Sequence, residues 1–184
     1  VVAALLAEAG RSVVVLDKGP NPGARDLTQV EGEAFGSYYL DHGLIMTQSG
    51  SLPILAGSAL GGGTVINYAT SFRLPERTRA EWADRSGLPL FTSDRFSESL
   101  DRVWARSNVG THWSTPGRRD QMFEAACRRL GWHVDTMTRA GRDCREGLEC
   151  GYCGYGCRHD AKTAPHYLRD AAAAGARLVP HCDV

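Results

Sequence analysis

The sequence predicts an α/β fold, and three observations support this class. Residues 1–10 end on Gly10, a common helix stop, and carry one helical stripe of apolar side chains: Val1, Val2, Leu5, Leu6 and Ala9. Residues 12–16 read Ser-Val-Val-Val-Leu, an apolar run suited to a strand buried on both faces of a sheet. Helix-like and strand-like segments then alternate as far as a strand-like run over residues 177–184.

Asp17 stands at the carboxyl end of the first predicted strand, and Lys18-Gly19-Pro20 after it predicts a turn. Helix, short turn, buried strand and terminal acid match the second half of a dinucleotide-binding βαβ unit, where the acid accepts hydrogen bonds from the adenosine ribose. The sequence therefore predicts part of a Rossmann-like domain. Its first strand and Gly-x-Gly-x-x-Gly turn are expected to precede Val1. An acid follows a strand on many sheets, so Asp17 alone is a weak signal.

Residues 56–67 form a glycine-rich stretch, Ala-Gly-Ser-Ala-Leu-Gly-Gly-Gly-Thr-Val-Ile-Asn. Glycine weakens helix and strand interiors because ordering it costs conformational entropy. Consecutive glycines are typical of backbone that passes close to another group, such as a pyrophosphate or a flat ring. A flexible loop is the alternative, but Leu60 and the pair Val65-Ile66 flank the glycines with apolar side chains. The stretch therefore favours ligand contact.

The remaining pattern predicts a mostly helical insertion and a return to the sheet. Apolar spacing predicts helices over 93–104, with Ser93 or Asp94 as N-cap, over 118–130, ended by Gly131, and over 165–174, ended by Gly175. Residues 26–51 have few periodic apolar positions and predict an extended excursion over a surface. The predicted organisation has four parts: part of the dinucleotide-binding domain with the glycine stretch, a helical insertion, a cysteine-rich loop and a return to the first domain, at residues 1–72, 73–142, 143–164 and 165–184.

The amino-acid composition limits the classes of partner that are expected. The 184 residues contain 21 acidic and 21 basic side chains, so no charge-driven attraction to nucleic acid or to an anionic membrane is predicted. No apolar run approaches the length that spans a bilayer, which leaves other forms of membrane association open. No targeting segment is visible, and a cytoplasmic location is the expectation.

Four cysteines share the spacing C-x5-C-x2-C-x3-C in a glycine-rich setting: Cys144, Cys150, Cys153 and Cys157. Thiolates at this spacing can wrap zinc or an iron–sulfur cluster, and they can equally be structural thiols or form a local disulfide. These alternatives stay open here, and no residue is assigned as a metal ligand. Cys127 and Cys182 are predicted to be buried apolar residues. The six histidines show no metal-ligand pairing, which predicts packed or surface positions for them.

LAEAGRSVVVLDKGP, followed by GSALGGGTVIN, resembles the FAD-dependent glucose–methanol–choline (GMC) oxidoreductases. NYATSFRLPERTRAEWA and CGYCGYGCRHDAKTAPHYLRDAAAAGARLV resemble the branch of long-chain fatty alcohol oxidases and dehydrogenases. The resemblance covers essentially the whole chain. It departs at Tyr68, where that branch often has Trp, and at Ser58, where the family usually has Arg, Lys or Asn. Some multi-subunit relatives carry an iron–sulfur cluster in a cysteine loop near an Ala-Lys pair, like Ala161-Lys162 here.

The resemblance implies a set of FAD contacts. Asp17 would bind the ribose, and Asn67 would lie beside the isoalloxazine ring. Val184 would pair with the adenine through its main chain, although by itself it is only a residue of a predicted strand. The backbone N–H groups that would line the pyrophosphate and the flavin edge belong to Gly61, Gly62, Gly63 and Thr64. The family's catalytic histidine lies in a substrate domain expected beyond Val184, so the catalytic residues of this protein are unassigned.

The implied reaction oxidises a small-molecule alcohol, a long-chain fatty alcohol by this resemblance, to its aldehyde. A base removes the hydroxyl proton while hydride moves to flavin N5, and oxygen or another electron acceptor reoxidises the flavin. These residues alone are expected to be inactive. Two alternatives remain: a GMC oxidoreductase acting on sterols or sugars with an iron–sulfur relay, and a non-catalytic flavin- or metal-binding module.

Overall fold

The computed structural model describes residues 1–112, 116–144 and 152–184, and it contains short helices and strands that alternate as in an α/β protein. The helices are α1 Val2–Glu8, α2 Glu31–Tyr38, α3 Gly63–Ile66, α4 Glu76–Ser86, α5 Asp94–Arg106, α6 Arg118–Arg129 and α7 His166–Ala173. The strands are β1 Val14–Leu16, β2 Ile45–Met46, β3 Pro53–Ile54, β4 Val109–Gly110, β5 Arg139–Ala140 and β6 Arg177–Val179. Short 3₁₀ turns lie at Ala24–Asp26, Leu40–Gly43, Pro89–Thr92 and Cys153–Tyr155.

Strands β1 and β6 form a two-stranded parallel sheet, with Val15 opposite Leu178. Helices α1 and α7 pack together over this sheet, and their shared core is built largely from small side chains that allow a close approach: Ala4, Ala7, Tyr167, Ala171 and Ala176. The β1–β6 pair brings two segments near the two ends of the described chain into one sheet.

One burial prediction for this layer, that of strand β1, is wrong. Helix α1 buries Ala4 and Ala7, whereas Leu5 and Leu6 of the predicted apolar stripe are 53% and 45% exposed. Helix α1 buries its alanines against the alanine face of α7, because small side chains let the two helices approach closely. Strand β1 was predicted to be buried on both faces, yet Val14 and Leu16 are 52% and 46% exposed. In the described residues β1 has a single neighbouring strand, which leaves its other edge and one face open.

The predicted helix ends at Gly10, Gly131 and Gly175 are confirmed. Each glycine has a positive φ, of 76°, 68° and 93° respectively. At each end the N–H of the following residue donates to the carbonyl five residues back, for example Arg11 to Leu6 at 2.9 Å. This is the Schellman geometry, which satisfies carbonyls that the helix leaves without a partner.

Residues 26–51 contain helix α2, so the predicted extended excursion is wrong there. Phe35 and Tyr39 stack with their ring centroids 4.3 Å apart, one helical turn apart in sequence. Tyr39 belongs to a second core of buried side chains, and Phe35 packs against this core. Its members lie in α3 and the segments around it: Leu27, Tyr39, Ala59, Val65 and Ile66. The spacing of apolar residues does not reveal this helix, because it buries little apolar surface of its own beyond Ala34.

The region between the glycine stretch and the cysteines is largely helical. Ser93 is the N-cap of α5, since its hydroxyl oxygen accepts the N–H of Phe96 at 3.3 Å, as predicted. Arg79 of α4 donates to the carbonyl of Phe91 at 2.7 Å and to the Ser97 hydroxyl at 2.9 Å. These bonds fix α4 against the start of α5. Among the described helices, none combines the length and apolar character needed to cross a membrane.

Candidate functional site

The turn after β1 and the glycine stretch meet backbone to backbone. A Cβ at Gly19 would lie 2.1 Å from the carbonyl oxygen of Ser58, so only glycine fits at this position. The N–H of Leu60 donates to the Pro20 carbonyl at 2.7 Å and fixes the contact. The structure therefore joins two segments that sequence analysis singled out separately.

Asp17 occupies the carboxyl end of β1, as predicted. Its N–H donates to the Val179 carbonyl at 3.1 Å, and its own carbonyl accepts the N–H of Cys182 at 2.9 Å. Its side-chain Oδ1 accepts the N–H of Gly19 at 2.8 Å. That bond fixes the orientation of the half-buried carboxylate, while Oδ2 accepts no hydrogen bond from the described residues.

The glycine stretch folds back on itself before α3 begins. A Cβ at Gly57 would lie 2.4 Å from the carbonyl carbon of Gly62, so the two arms of the loop touch through backbone. Gly62 has φ 54° and ψ −136°, a conformation that L side chains rarely adopt. In contrast, the positions that a Cβ would take at Gly62 and Gly63 face open space. One side of the loop is therefore packed against protein and the other is accessible to a ligand.

Thr64 and Asn67 complete the loop. The Thr64 N–H and hydroxyl both donate to the Gly61 carbonyl, at 3.2 and 2.6 Å. The exposed Asn67 closes α3, since its N–H donates to the Gly63 carbonyl at 2.9 Å and its Oδ1 accepts the N–H of Ala69 at 3.0 Å. Both side chains thus shape the loop, and the ligand contacts expected of them stay predictions.

Val184 does not lie in a strand. Strand β6 ends at Val179, because Pro180 has no N–H to donate and His181 has φ 55°. The predicted strand over residues 177–184 is wrong beyond that point, and Val184 is 99% exposed. Its segment nevertheless runs past the end of β1, where the Cys182 N–H binds the Asp17 carbonyl.

Lys162 holds the glycine loop to the cysteine segment. Its side chain is buried, and Nζ donates to the Val65 carbonyl at 2.7 Å and to the Cys153 carbonyl at 2.8 Å. Tyr39 adds a parallel link, since its hydroxyl donates to the Gly154 carbonyl at 2.7 Å. In the sequence, Ala161-Lys162 stands out only for its position close to the cysteines. No local signal reveals this role, because the acceptors are backbone carbonyls, one of them in a remote segment.

Three of the four clustered cysteines meet in one place. Cys144, Cys153 and Cys157 line a cavity of about 20 Å³ together with Arg139 and Lys162. Cys150 lies outside the described residues. Within the described ranges no three His, Cys, Asp or Glu side chains are arranged to hold a metal ion. Cys127 is buried as predicted, whereas Cys182 is half-buried. Of the histidines, His159 and His166 are half-buried and the other four are exposed.

A larger cavity of about 400 Å³ adjoins the glycine loop. Leu60 and Val65 form part of its wall, and Lys162 and Leu168 line it from the cysteine segment and α7. Asp160 and Arg169, which also line it, form an ion pair. This pair lowers the pKa of the Asp160 carboxyl even though burial acts in the opposite direction.

Residues 35–184 match the family model of the GMC oxidoreductases, and the chain belongs to this family. It is similar to the long-chain-alcohol oxidase FAO4B of Arabidopsis thaliana, with 38% identity over 181 residues, which cover 97% of this chain and 24% of that protein. The long-chain-alcohol oxidase FAO4A of the same plant is 34% identical over 185 residues, covering 99% of this chain and 25% of that protein.

A bacterial relative shows a similar match. An uncharacterised GMC-type oxidoreductase of Mycobacterium tuberculosis is 31% identical over 183 residues, which cover 97% of this chain and 29% of that protein. The chain thus spans about a quarter of the length of the plant relatives it matches. The family resemblance given by its motifs is confirmed.

Proposed function

We propose that this chain forms the flavin-holding, Rossmann-like part of an FAD-dependent alcohol oxidoreductase whose substrate is a long-chain alcohol. The observation that carries the proposal is the backbone junction at the end of β1, where Asp17 and the glycine loop come together. Membership of the GMC family supports the cofactor. The names of the Arabidopsis relatives support the substrate class, with oxygen as the acceptor in an oxidase. A cytoplasmic location stays a prediction.

The junction fits a cofactor that carries a ribose and a pyrophosphate. Gly19 holds Oδ1 of Asp17, which leaves Oδ2 to accept a hydrogen bond from a ribose hydroxyl. Space is open at the Cβ positions of Gly62 and Gly63, and the Gly63 N–H donates to no acceptor among the described residues. This backbone can therefore approach phosphate oxygens or a flat ring more closely than a chain with side chains could.

In this proposal the chain binds and orients the cofactor, and no residue of the chain is assigned to transfer a proton. Asp17 holds the ribose, Asn67 lies beside the flavin ring, and the main chain of Val184 pairs with the adenine. The pyrophosphate and the flavin edge are lined by Gly61, Gly62, Gly63 and Thr64. When bound, FAD would supply the acceptor for the hydride that leaves the alcohol carbon.

A pair of glycine substitutions tests the loop. Gly63 begins α3 and Gly32 lies in α2, and an added Cβ meets nothing within 4 Å at either position. Both Gly63→Ala and Gly32→Ala are therefore compatible with the fold. Gly63→Ala should weaken flavin binding by about tenfold or more, since a methyl group forced into a filled contact costs about 1–3 kcal/mol. Gly32→Ala should leave binding unchanged.

The measurement is the ratio of flavin to protein absorbance in the intact protein that contains this chain, purified without air. Equal flavin content in the two variants would exclude the glycine loop as a binding surface. In the wild type, a long-chain alcohol should bleach the flavin bands. Bleaching only by a sterol or a sugar would overturn the substrate class, and stable bands with every alcohol would indicate a non-catalytic flavin module. Absence of flavin bands would overturn the proposal that FAD is the cofactor.

A further inference from the structure

The cysteine cavity contains thiols with unequal surroundings. Cys157 is anchored, because its sulfur accepts the N–H of Ala161 at 3.2 Å. Cys153 is buried, with 7% of its surface exposed, and its sulfur accepts a hydrogen bond from Arg139 Nη2 at 3.1 Å. Cys144 is half-buried on the wall of the same cavity. One of these thiols thus belongs to a half-buried residue, and a second is buried beside a cation.

Cys144 and Cys153 share a cavity that two cationic side chains also line, Arg139 and Lys162. Burial raises the pKa of the Cys153 thiol, and the charges of Arg139 and Lys162 act in the opposite direction. Cys144 and Cys153 both line the same cavity of about 20 Å³, which brings the two side chains together in one small space. The two cations can offset the cost of a thiolate formed inside the cavity.

We propose that Cys144 and Cys153 form a redox-active pair, which a peroxide converts to a disulfide. A metal centre is the less favoured use of these thiols, since in the described part of the chain no three ligands are arranged for one. Cys157 is the less favoured partner, because its sulfur accepts from a neutral backbone N–H, whereas a guanidinium donates to the Cys153 sulfur and can stabilise its thiolate. The oxidant can be peroxide from any source, so the inference stands apart from the proposed function.

The reaction balances with one hydrogen peroxide per disulfide. The Cys144 thiolate attacks a peroxide oxygen and the O–O bond breaks, which gives a sulfenic acid at Cys144 and a hydroxide that takes up the thiol proton as water. The Cys153 thiolate then attacks the Cys144 sulfur. The S–S bond forms, the S–O bond breaks, and the leaving hydroxide takes up the Cys153 proton as a second water. Two thiols are oxidised and one peroxide is reduced.

The disulfide would act on segments that hold the glycine loop. Cys144 follows β5, and Arg139 of that strand donates to the Tyr68 carbonyl at 3.1 Å, just beyond α3. Cys153 accepts at its carbonyl from Lys162, which also binds Val65 in α3. A covalent bond between Cys144 and Cys153 would tether both supports of the loop. Oxidation should therefore raise the midpoint of thermal unfolding by a few degrees.

The sequence allows a direct chemical test, since trypsin places the two cysteines in different peptides. Cleavage at arginine gives peptide 143–145, which contains Cys144, and peptide 146–158, which contains the other three clustered cysteines. The intact protein is treated with hydrogen peroxide, alkylated and digested without reductant. The expected product is a joined peptide two hydrogens lighter than the sum of its parts, with fragmentation placing the bond at Cys153. Reduction should restore two free thiols, which a second alkylation then labels.

Variants and alternative outcomes separate this pair from its neighbours. Cys153→Ser should abolish the joined peptide, while Cys182→Ser, at a half-buried cysteine outside the cavity, should leave it unchanged. The proposal would be overturned if Cys144 remained free for alkylation after the peroxide treatment. It would also be overturned if Cys144 ended as a sulfinic acid with no disulfide bond. A bond from Cys144 to Cys150 or Cys157 in the wild type would also overturn it. The wild-type digest decides the question even if Cys153→Ser fails to fold.

Discussion

Gly19 and Gly57 are residues at which backbone runs directly against backbone around the candidate site. At Gly19 an added Cβ would lie 2.1 Å from the Ser58 oxygen, and at Gly57 it would lie 2.4 Å from the Gly62 carbon. Both contacts are well inside van der Waals distance, so a side chain would push the Asp17 turn away from the glycine loop. These glycines shape the site from behind, whereas Gly62 and Gly63 border its open side.

At the residue scale, Asp17→Ala should weaken flavin retention more than it slows alcohol oxidation. A hydrogen bond to a charged group contributes about 1.5–3 kcal/mol, so retention should fall about tenfold or more. The rate per bound flavin should stay within about twofold, because the ribose lies away from the reacting carbon. Flavin content after dialysis and single-turnover bleaching measure the two effects.

Asp84→Ala provides the control for this substitution, since Asp84 is exposed on α4. Its flavin content should match that of the wild type. If Asp17→Ala also keeps its full flavin content, Asp17 has no part in holding the cofactor. If the rate per bound flavin falls as far as retention does, Asp17 affects the reaction directly.

Local signals explain which residues sequence analysis could place. Asp17 was placed correctly at the strand end because an apolar run followed by an acid and a turn is a short-range pattern. The role of Lys162 could not be predicted, since it depends on the carbonyl of Val65 in a remote segment. The face that α1 buries could not be predicted, because it depends on the partner helix: Ala4 is buried and Leu5 is exposed.

At the element scale, the same contrast holds for helix ends and helix faces. A glycine stop acts within its own turn, so the ends at Gly10, Gly131 and Gly175 were predictable. Helix α2 was not, because few of its side chains are buried and its aromatic residues stack on each other. Strand β6 was predicted too long although Pro180 was visible in the sequence, and that proline marks its end.

One arginine connects three helices. Arg106, the last residue of α5, forms ion pairs with Glu8 at the end of α1 and with Asp170 of α7, the latter at 2.7 Å. Its guanidinium also lies over the Tyr167 ring, 4.5 Å from the centroid. Both carboxylates are partly exposed, which weakens each ion pair through solvent screening. The stacking on a buried ring adds apolar contact that salt does not screen.

Arg106→Ala should therefore lower the free energy of unfolding by about 1–2 kcal/mol. Urea titration of the intact protein measures this change, and added salt should reduce only the part due to the ion pairs. Arg85→Ala removes an exposed pair with Glu81 within α4 and should cost no more than about 0.5 kcal/mol. Equal losses in the two variants would show that the three-helix contact adds nothing beyond a surface ion pair.

At the scale of the whole molecule, the candidate site is assembled from segments far apart in sequence. The β1 turn touches the glycine loop, and the loop is held by the cysteine segment. That segment leads through α7 into β6, and β6 pairs with β1. The arrangement is circular, so a change in one link should be felt at the others. Lys162 is one such link, since its Nζ donates to carbonyls in two different segments, those of Val65 and Cys153.

Lys162→Met keeps an unbranched side chain of similar length but removes the donor. The Val65 and Cys153 carbonyls would then lose a charged partner inside the protein, which should lower the free energy of unfolding by about 2–4 kcal/mol. Flavin should also be released at a lower temperature, measured as a rise in flavin fluorescence during heating. Lys18→Met, the same change at an exposed lysine, should shift the urea midpoint little. If both variants unfold at the same urea concentration, Lys162 does not hold the loop and the circular arrangement is wrong at that link.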